Sequence, residues 1–236
     1  MAVTGLIMVG FIIGHLVGNL QLFAPPEKIN AYAYFLEGLG PGLWAIRAFL
    51  LLTLVLHVWM AIKLTLENKA ARPQDYVSQQ TLRATYASRT MRVSGFIVLA
   101  FLIYHLLHFT VRVEGFGTYP HTTLMDGTPV RDVHTMMVVG FQNIWISLFY
   151  IISVGLLSWH LNHGLVSMFQ TVGFRSRTWS SFLTKASVLF SILYFLANAA
   201  IPGSVLAGVV KIQNPEVAGY VCPAKCAVCE AKNAKT

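Results

Sequence analysis

The feature that most constrains the fold of this chain is a set of five long apolar stretches. They lie at about 1–23, 43–66, 93–111, 135–163 and 182–209. A bilayer core is about 30 Å thick, so a helix needs roughly 20 predominantly apolar residues to cross it. The chain of 236 residues is 56% hydrophobic and only 11% charged, with a mean hydropathy of +0.62. That composition lies outside the soluble globular range and predicts an integral membrane protein.

The five stretches predict an all-α bundle of transmembrane helices, because every backbone polar group in lipid must be paired within its own segment. We expect residues 1–210 to form this five-helix domain and residues 211–236 to form a C-terminal tail. The first stretch lacks a basic lead-in and a small-residue cleavage site, so we expect it to be retained as a helix.

Basic residues predict the orientation, since they resist translocation and stay on the cytoplasmic side of a membrane. The loops after the second and fourth stretches are rich in them: Lys69, Arg72, Arg83, Arg89, Arg92, Arg175, Arg177 and Lys185. The N-terminus is therefore predicted to be cytoplasmic and the C-terminus outside. This loop bias and a basic tail explain the net charge of +8, so no nucleic-acid partner is expected.

Eight histidines carry most of the functional information. Six lie within four of the apolar stretches: His15, His57, His105, His108, His160 and His163. The other two, His121 and His134, lie in or beside an outer loop and are expected to be solvated. One buried histidine usually makes an interhelical hydrogen bond. Ionisable side chains at membrane depth on four consecutive helices instead indicate a functional site.

Four helices with one ligand each predict two b-type haems, because neutral imidazole is a good axial ligand for haem iron. With a rise of 1.5 Å per residue, His15 and His105 lie about 20 Å from the inner ends of their helices, in the outer half of the membrane. His57 lies in the inner half, and His160 lies late on a helix that runs inward. We therefore predict two ligand pairs, His15 with His105 and His57 with His160.

Two of the helices contain the pattern H-x-x-H, which leaves a choice of ligand open. His105 and His108, like His160 and His163, share one helical face, so either member of each pair suits a ligand role by spacing alone. A metal site that uses both members lacks the carboxylates found in carboxylate-bridged bundle sites.

Four segments together resemble a known family: IGHLVGNLQLF, INAYAYFLEGLG, RVSGFIVLAFLIYHLLHF and WHLNHGLVSMFQTVGFRSR. They are similar to the five-helix, di-haem cytochrome b anchor of succinate:quinone oxidoreductases, a family that includes bacterial succinate dehydrogenases and fumarate reductases. The resemblance covers residues 1 to about 200. It implies that the haem ligands are His15, His57, His105 and His160, and it demotes His108 and His163.

The resemblance also implies an enzyme subunit without flavin, in the bacterial cytoplasmic membrane. A partner flavoprotein subunit oxidises succinate, and a partner iron–sulfur subunit relays the electrons. The anchor, embedded in membrane lipid, passes them through two b haems to a quinone, which is commonly menaquinone. We further expect that the whole complex can form higher oligomers.

Three charged residues are candidates for supporting roles. Quinone reduction consumes protons, and Glu37, at the outer face and 22 residues after His15, matches a family carboxylate implicated in quinol chemistry. The alternative is an interfacial carboxylate that caps a loop. Arg47 and Arg92, at helix ends, suit pairing with haem propionates, or else anchoring by snorkelling.

The first helix carries a ridge of small residues at Gly10, Gly14 and Gly18. Such ridges usually let another helix approach closely, and the same lack of side chains offers room for a haem beside His15. Asn19 and Gln21 follow this ridge and suit a hydrogen bond to haem, to quinone or to a neighbouring helix.

The tail contains Cys222, Cys226 and Cys229. If the tail lies outside the membrane, a disulfide with one thiol left over is one interpretation. A metal or cluster site with a fourth ligand from elsewhere is the other.

Two other functions compete with the anchor hypothesis. A di-haem cytochrome b of a formate dehydrogenase or hydrogenase shares the redox chemistry but places its ligands differently along its helices. A proton-coupled transporter would carry intramembrane Asp or Glu beside the histidines, and the central parts of these stretches contain none.

Overall fold

The computed structural model describes residues 1–71 and 86–213. Within these ranges the elements in chain order are α1 (Ala2–Asn19), α2 (Pro26–Gly38), α3 (Pro41–Ala70), α4 (Tyr86–His105), β1 (His121–Thr123), β2 (Pro129–Arg131), α5 (Val133–Gln142), α6 (Ile144–Thr171) and α7 (Ser180–Leu206). A 3₁₀ turn, Leu20–Phe23, continues α1, and a π-helical turn, Leu106–Val111, continues α4.

Five of these segments are long and apolar enough to cross a membrane: Ala2–Phe23, Pro41–Ala70, Arg89–Val111, Ile144–Thr171 and Ser180–Leu206. This confirms the five predicted spans and indicates a multi-pass membrane protein. The all-α prediction holds apart from the short antiparallel β1–β2 hairpin. The orientation in the membrane stays a prediction. The three tail cysteines lie outside the described residues, and so do Arg72 and Arg83.

The predicted fourth span, 135–163, was wrong at both ends. Asn143 adopts an extended backbone between α5 and α6, and its side chain accepts hydrogen bonds from the backbone N–H groups of Trp145 and Ile146. Asparagine in this position is a strong helix N-cap, so a new helix begins here. The membrane-spanning helix α6 consequently starts later than predicted and continues to Thr171.

The spanning helices are joined through α1, which contacts α3 and also α6 and α7. Helix α6 packs along both α4 and α7, whereas α3 packs against α1. Contacts at two levels give the relative direction of α4 and α6: Ser94 lies 3.4 Å from His160, and Phe101, further along α4, contacts Tyr150, which is earlier on α6. These two helices are therefore antiparallel, as an up-and-down bundle requires. Thr4, near the start of α1, lies 3.1 Å from His57 in the middle of α3.

The short elements cover one end of the bundle, and we call α2, the β1–β2 hairpin and α5 the cap. Helix α5 packs on α6 and α7, and α2 packs on α5. Apolar residues of α5, including Val138 and Phe141, join the main buried cluster with Tyr150 of α6. Asp132 anchors the start of α5 by accepting a hydrogen bond from the backbone N–H of Thr135. The charge rule predicts that this end faces the outside.

Candidate cofactor site: two histidine pairs

His15 and His105 meet between α1 and α4 on the side of the bundle nearer the cap, and we call them the cap-side pair. Their ring centres lie 5.7 Å apart, with ring planes at 88°. A bond from imidazole nitrogen to a metal is about 2 Å long, so two rings that share one ion have centres about 6 Å apart. The observed separation is close to that value.

Aromatic rings surround the cap-side pair. His15 stacks on Phe11 at 5.4 Å, and His105 lies 5.9 Å from Phe101 and 6.0 Å from Tyr150. The His105 Nδ1 atom is buried and has no hydrogen-bond partner among the residues that the structure describes. The His15 side chain keeps an exposed surface.

His57 and His160 form the second pair, which we call the far-side pair. His57 lies within electrostatic range of His160, and so does His163, which is on the same helix as His160. The Nδ1 atom of His57 lies 3.1 Å from the Thr4 hydroxyl, and the Nδ1 atom of His160 lies 3.4 Å from the Ser94 hydroxyl. Both contacts cross between helices and use the same ring nitrogen, so both leave Nε2 for another partner.

Each pair supplies two imidazoles from two different helices. Haem iron takes its axial ligands from the protein, and imidazole is a common one. The described residues contain no cluster of three or more His, Cys, Asp or Glu side chains able to hold a metal ion. Two separate two-histidine sites suit a cofactor that brings most of its own ligands.

Glycines differ in what they face. A Cβ added to Gly5 would lie 3.7 Å from His57, and one added to Gly95 would lie 3.5 Å from His160. In the predicted ridge, Gly18 lets the Tyr32 ring approach, since a Cβ there would lie 2.8 Å from it. A Cβ at Gly10 or Gly14 would meet nothing within 4 Å. Only Gly18 of the ridge therefore serves close packing here.

His108 has a different environment from His105, three residues before it. It is 1% exposed, its Nδ1 lies 3.0 Å from the Tyr150 hydroxyl, and its ring stacks on Phe109 at 4.0 Å. The π-helical turn that contains it is a feature often found at functional sites. Here the geometry makes His108 a packed, hydrogen-bonded core residue. His163 on α6 is partly buried.

Glu37 lies at the end of α2 and is held by two arginines. It forms ion pairs with Arg131 of β2 and, at 3.8 Å, with Arg112. Among the residues that the structure describes, no hydrogen bond or ion pair joins Glu37 to either histidine pair. This geometry accommodates both interpretations of Glu37, a tie between cap elements and a carboxylate at the cap-side surface.

The two candidate propionate partners lie at the levels of different pairs. Arg47 precedes His57 on α3 by 10 residues, about 15 Å towards the cap, which is the level of the cap-side pair. Its guanidinium lies 5.1 Å from the Trp44 ring centre. Arg92 lies two residues before Ser94, at the level of the far-side pair, and is exposed.

His134 was wrongly expected to be solvated, whereas His121 is exposed as expected. Only 1% of the His134 surface is exposed, because its backbone N–H donates to Asn30 of α2 and draws it into the cap. Burial lowers the pKa of His134, and the nearby carboxylates of Asp132 and Glu27 partly oppose that shift.

Four residues that contact the far-side histidines were not predicted from the sequence: Thr4, Gly5, Ser94 and Gly95. A signal for them exists in the spacing. A hydroxyl residue followed by glycine, TG or SG, stands 11 residues before His15 and before His105. Eleven residues turn a helix by close to three full turns, so hydroxyl and histidine share one face. Searching for equal spacing on the two helices would have found them.

Comparison with protein-family models, characterised proteins and solved structures finds no match to this chain.

Proposed function

We propose that this chain is a di-haem cytochrome b membrane subunit that conducts electrons across the bundle to a quinone. The observation that carries the proposal is the pairing itself. Four histidines from four spanning helices lie at two levels: the ring centres of His15 and His105 are 5.7 Å apart, and His57 lies within electrostatic range of His160.

The chain's own residues would hold one haem at each level. His15 and His105 would supply the axial nitrogens on the cap side, and His57 and His160 on the far side. When bound, each haem b supplies a reversible one-electron carrier. The levels are about 16 Å apart along α1, judged from the 11 residues between Thr4 and His15.

The resemblance in sequence supports a specific host for this subunit. It is the membrane anchor of a succinate dehydrogenase or fumarate reductase, bound to a flavoprotein subunit and an iron–sulfur subunit in the bacterial cytoplasmic membrane. The quinone is menaquinone, and it reacts at the cap side. Glu37, on the surface there with Arg112 and Arg131 beside it, is the proposed proton carrier.

Electron entry from succinate tests this proposal. The whole complex would be purified through a tag on this chain, and visible spectra would be recorded after anaerobic addition of succinate, formate or hydrogen. We expect succinate to reduce low-spin b haem, and a menaquinone analogue to reoxidise it. Reduction by formate or hydrogen alone would assign the subunit to another oxidoreductase, and a spectrum without b haem would overturn the proposal.

A further inference from the structure

The far-side histidines are each held by a hydroxyl group from a neighbouring helix. Thr4 reaches His57 Nδ1 at 3.1 Å, and Ser94 reaches His160 Nδ1 at 3.4 Å. A histidine nitrogen in such a contact is either donor or acceptor, depending on the tautomer. The direction of the bond can be worked out from what each hydroxyl does with its own proton.

Each hydroxyl has a backbone carbonyl of its own helix to which it can donate its proton. The Thr4 hydroxyl donates to the carbonyl oxygen of Met1 at 2.9 Å, and the Ser94 hydroxyl donates to the carbonyl oxygen of Met91 at 3.1 Å. A hydroxyl that donates its one proton to that carbonyl can only accept from the imidazole. In that arrangement the proton of each far-side ring sits on Nδ1, and the lone pair sits on Nε2.

We propose that Thr4 and Ser94 are positioning residues that fix the tautomer of the far-side ligands and strengthen their donation to iron. The inference rests on the proposed function, since it needs a haem between His57 and His160. A hydrogen bond from the second ring nitrogen orients a metal-bound histidine and raises its basicity. Thr4 and Ser94 supply that bond from α1 and α4.

The surroundings of the hydroxyls support this role. Gly5 and Gly95 follow them directly, and each leaves its histidine ring the space that a side chain would narrow, since an added Cβ would lie 3.7 Å from His57 or 3.5 Å from His160. The same arrangement on two helices, meeting two different partners, is unlike an incidental surface contact.

Removing one hydroxyl should change the far-side haem without removing its ligand. A less basic imidazole stabilises ferric iron less, so the midpoint potential of that haem should rise. The variants are Thr4→Val and Ser94→Ala, with Thr4→Ser as the variant that keeps the hydroxyl. Matched controls are Thr53→Val and Ser187→Ala, whose hydroxyls bond within their own helices.

The measurement is a redox titration of the purified complex, together with the ferric low-spin EPR spectrum. The far-side component is the one that disappears in His57→Ala. We expect Thr4→Val to raise its potential by up to the 59 mV that equals a tenfold change for one electron. Ser94→Ala should raise it less because its contact is longer. Thr4→Ser and both controls should match the wild type, and so should the cap-side component.

Loss of the far-side haem in Thr4→Val, with retention in Thr4→Ser, would also support the proposal. An unchanged potential and EPR spectrum in both hydroxyl-free variants would overturn it while leaving the di-haem function intact. Loss of that haem in Thr4→Ser as well as Thr4→Val would overturn it too. A wild-type protein without two haems would instead defeat the proposed function.

Discussion

The two histidine pairs contain the same kind of side chain but are held by different means. The cap-side rings contact each other and lie among aromatic residues, and the buried Nδ1 of His105 has no hydrogen-bond partner in the described part of the chain. The far-side rings are each tied through Nδ1 to a hydroxyl on a neighbouring helix. Packing positions the first pair, and hydrogen bonds position the second.

Under the proposed function, this difference would give two identical haems unequal properties. A hydrogen bond at the second ring nitrogen and the polarity around the ligands both affect the reduction potential of a bound metal. The far-side histidines have such hydrogen bonds, whereas the cap-side histidines lie in apolar, aromatic surroundings. The cap adds a third difference, because among the described residues it covers the end of the bundle nearer His15 and His105.

The largest expected effect separates the pairs completely. His57→Ala or His160→Ala should remove the far-side haem and leave the cap-side haem, because an axial ligand is lost at one level only. His163→Ala, three residues along the same helix, is the matched control and should keep both. Haem content with a redox titration measures this. Equal losses in His160→Ala and His163→Ala would contradict the ligand assignment, and two haems in His57→Ala would exclude His57.

Glu37 should affect the quinone reaction and neither haem. Positioned proton transfer contributes about 10²-fold or more to a rate, so Glu37→Gln should slow menaquinone-analogue reduction by about that factor. The control is Glu67→Gln. Glu67 lies near the end of α3 that is remote from the cap, and it forms an ion pair with Lys63 at 3.8 Å. A normal rate in Glu37→Gln would leave Glu37 as a tie between α2 and β2.

Asp132 should affect the cap side alone. Its carboxylate accepts hydrogen bonds from the Thr135 backbone N–H and hydroxyl, at 3.0 and 2.7 Å, and from the Asn30 amide at 3.2 Å. Losing a helix cap and buried partners should destabilise the protein by about 2 kcal/mol in Asp132→Ala.

Thermal unfolding of the purified protein measures that loss. Asp126→Ala, in the exposed hairpin turn, should change stability by about 0.5 kcal/mol or less. The cap-side haem potential should shift in Asp132→Ala and the far-side potential should not. The reverse pattern would contradict the placement of the cap over the cap-side pair.

The smallest effect is a pH dependence from His134. Burial lowers the pKa of His134 in the folded protein, whereas its pKa in the unfolded chain is about 6.5. Between these two pKa values the unfolded chain binds more protons than the folded protein does. Stability is therefore fully present above about pH 6.5 and lost as the pH falls below it. His134→Gln should lose less stability than the wild type between pH 7.5 and 5.5, and His121→Gln should behave like the wild type. An identical pH response in His134→Gln would contradict this.

The spanning helices could be predicted from sequence because each apolar run is longer than the apolar runs found in helices of soluble proteins. The break at Asn143 was missed because apolar residues flank it on both sides. A single capping side chain hardly changes the mean hydropathy of such a stretch. His134 was misplaced because its burial depends on Asn30, more than a hundred positions away.

The histidines themselves could be predicted, since ionisable residues stand out in an apolar segment. The residues that hydrogen-bond to the far-side histidines could not be predicted from residue type. Thr4 and Ser94 are ordinary in a membrane helix, where hydroxyls usually bond to their own backbone, as those of Thr53 and Ser187 do. Only the juxtaposition of α1 with α3 and of α4 with α6 reveals their partners.

The number of b haems per chain tests the central claim most directly. The protein would be purified under mild conditions that retain bound haem. Its haem would then be extracted and quantified against the protein concentration. Two b haems per chain, both low-spin, are the expected result for two bis-histidine sites. One haem per chain, or none, would contradict the assignment of the two histidine pairs.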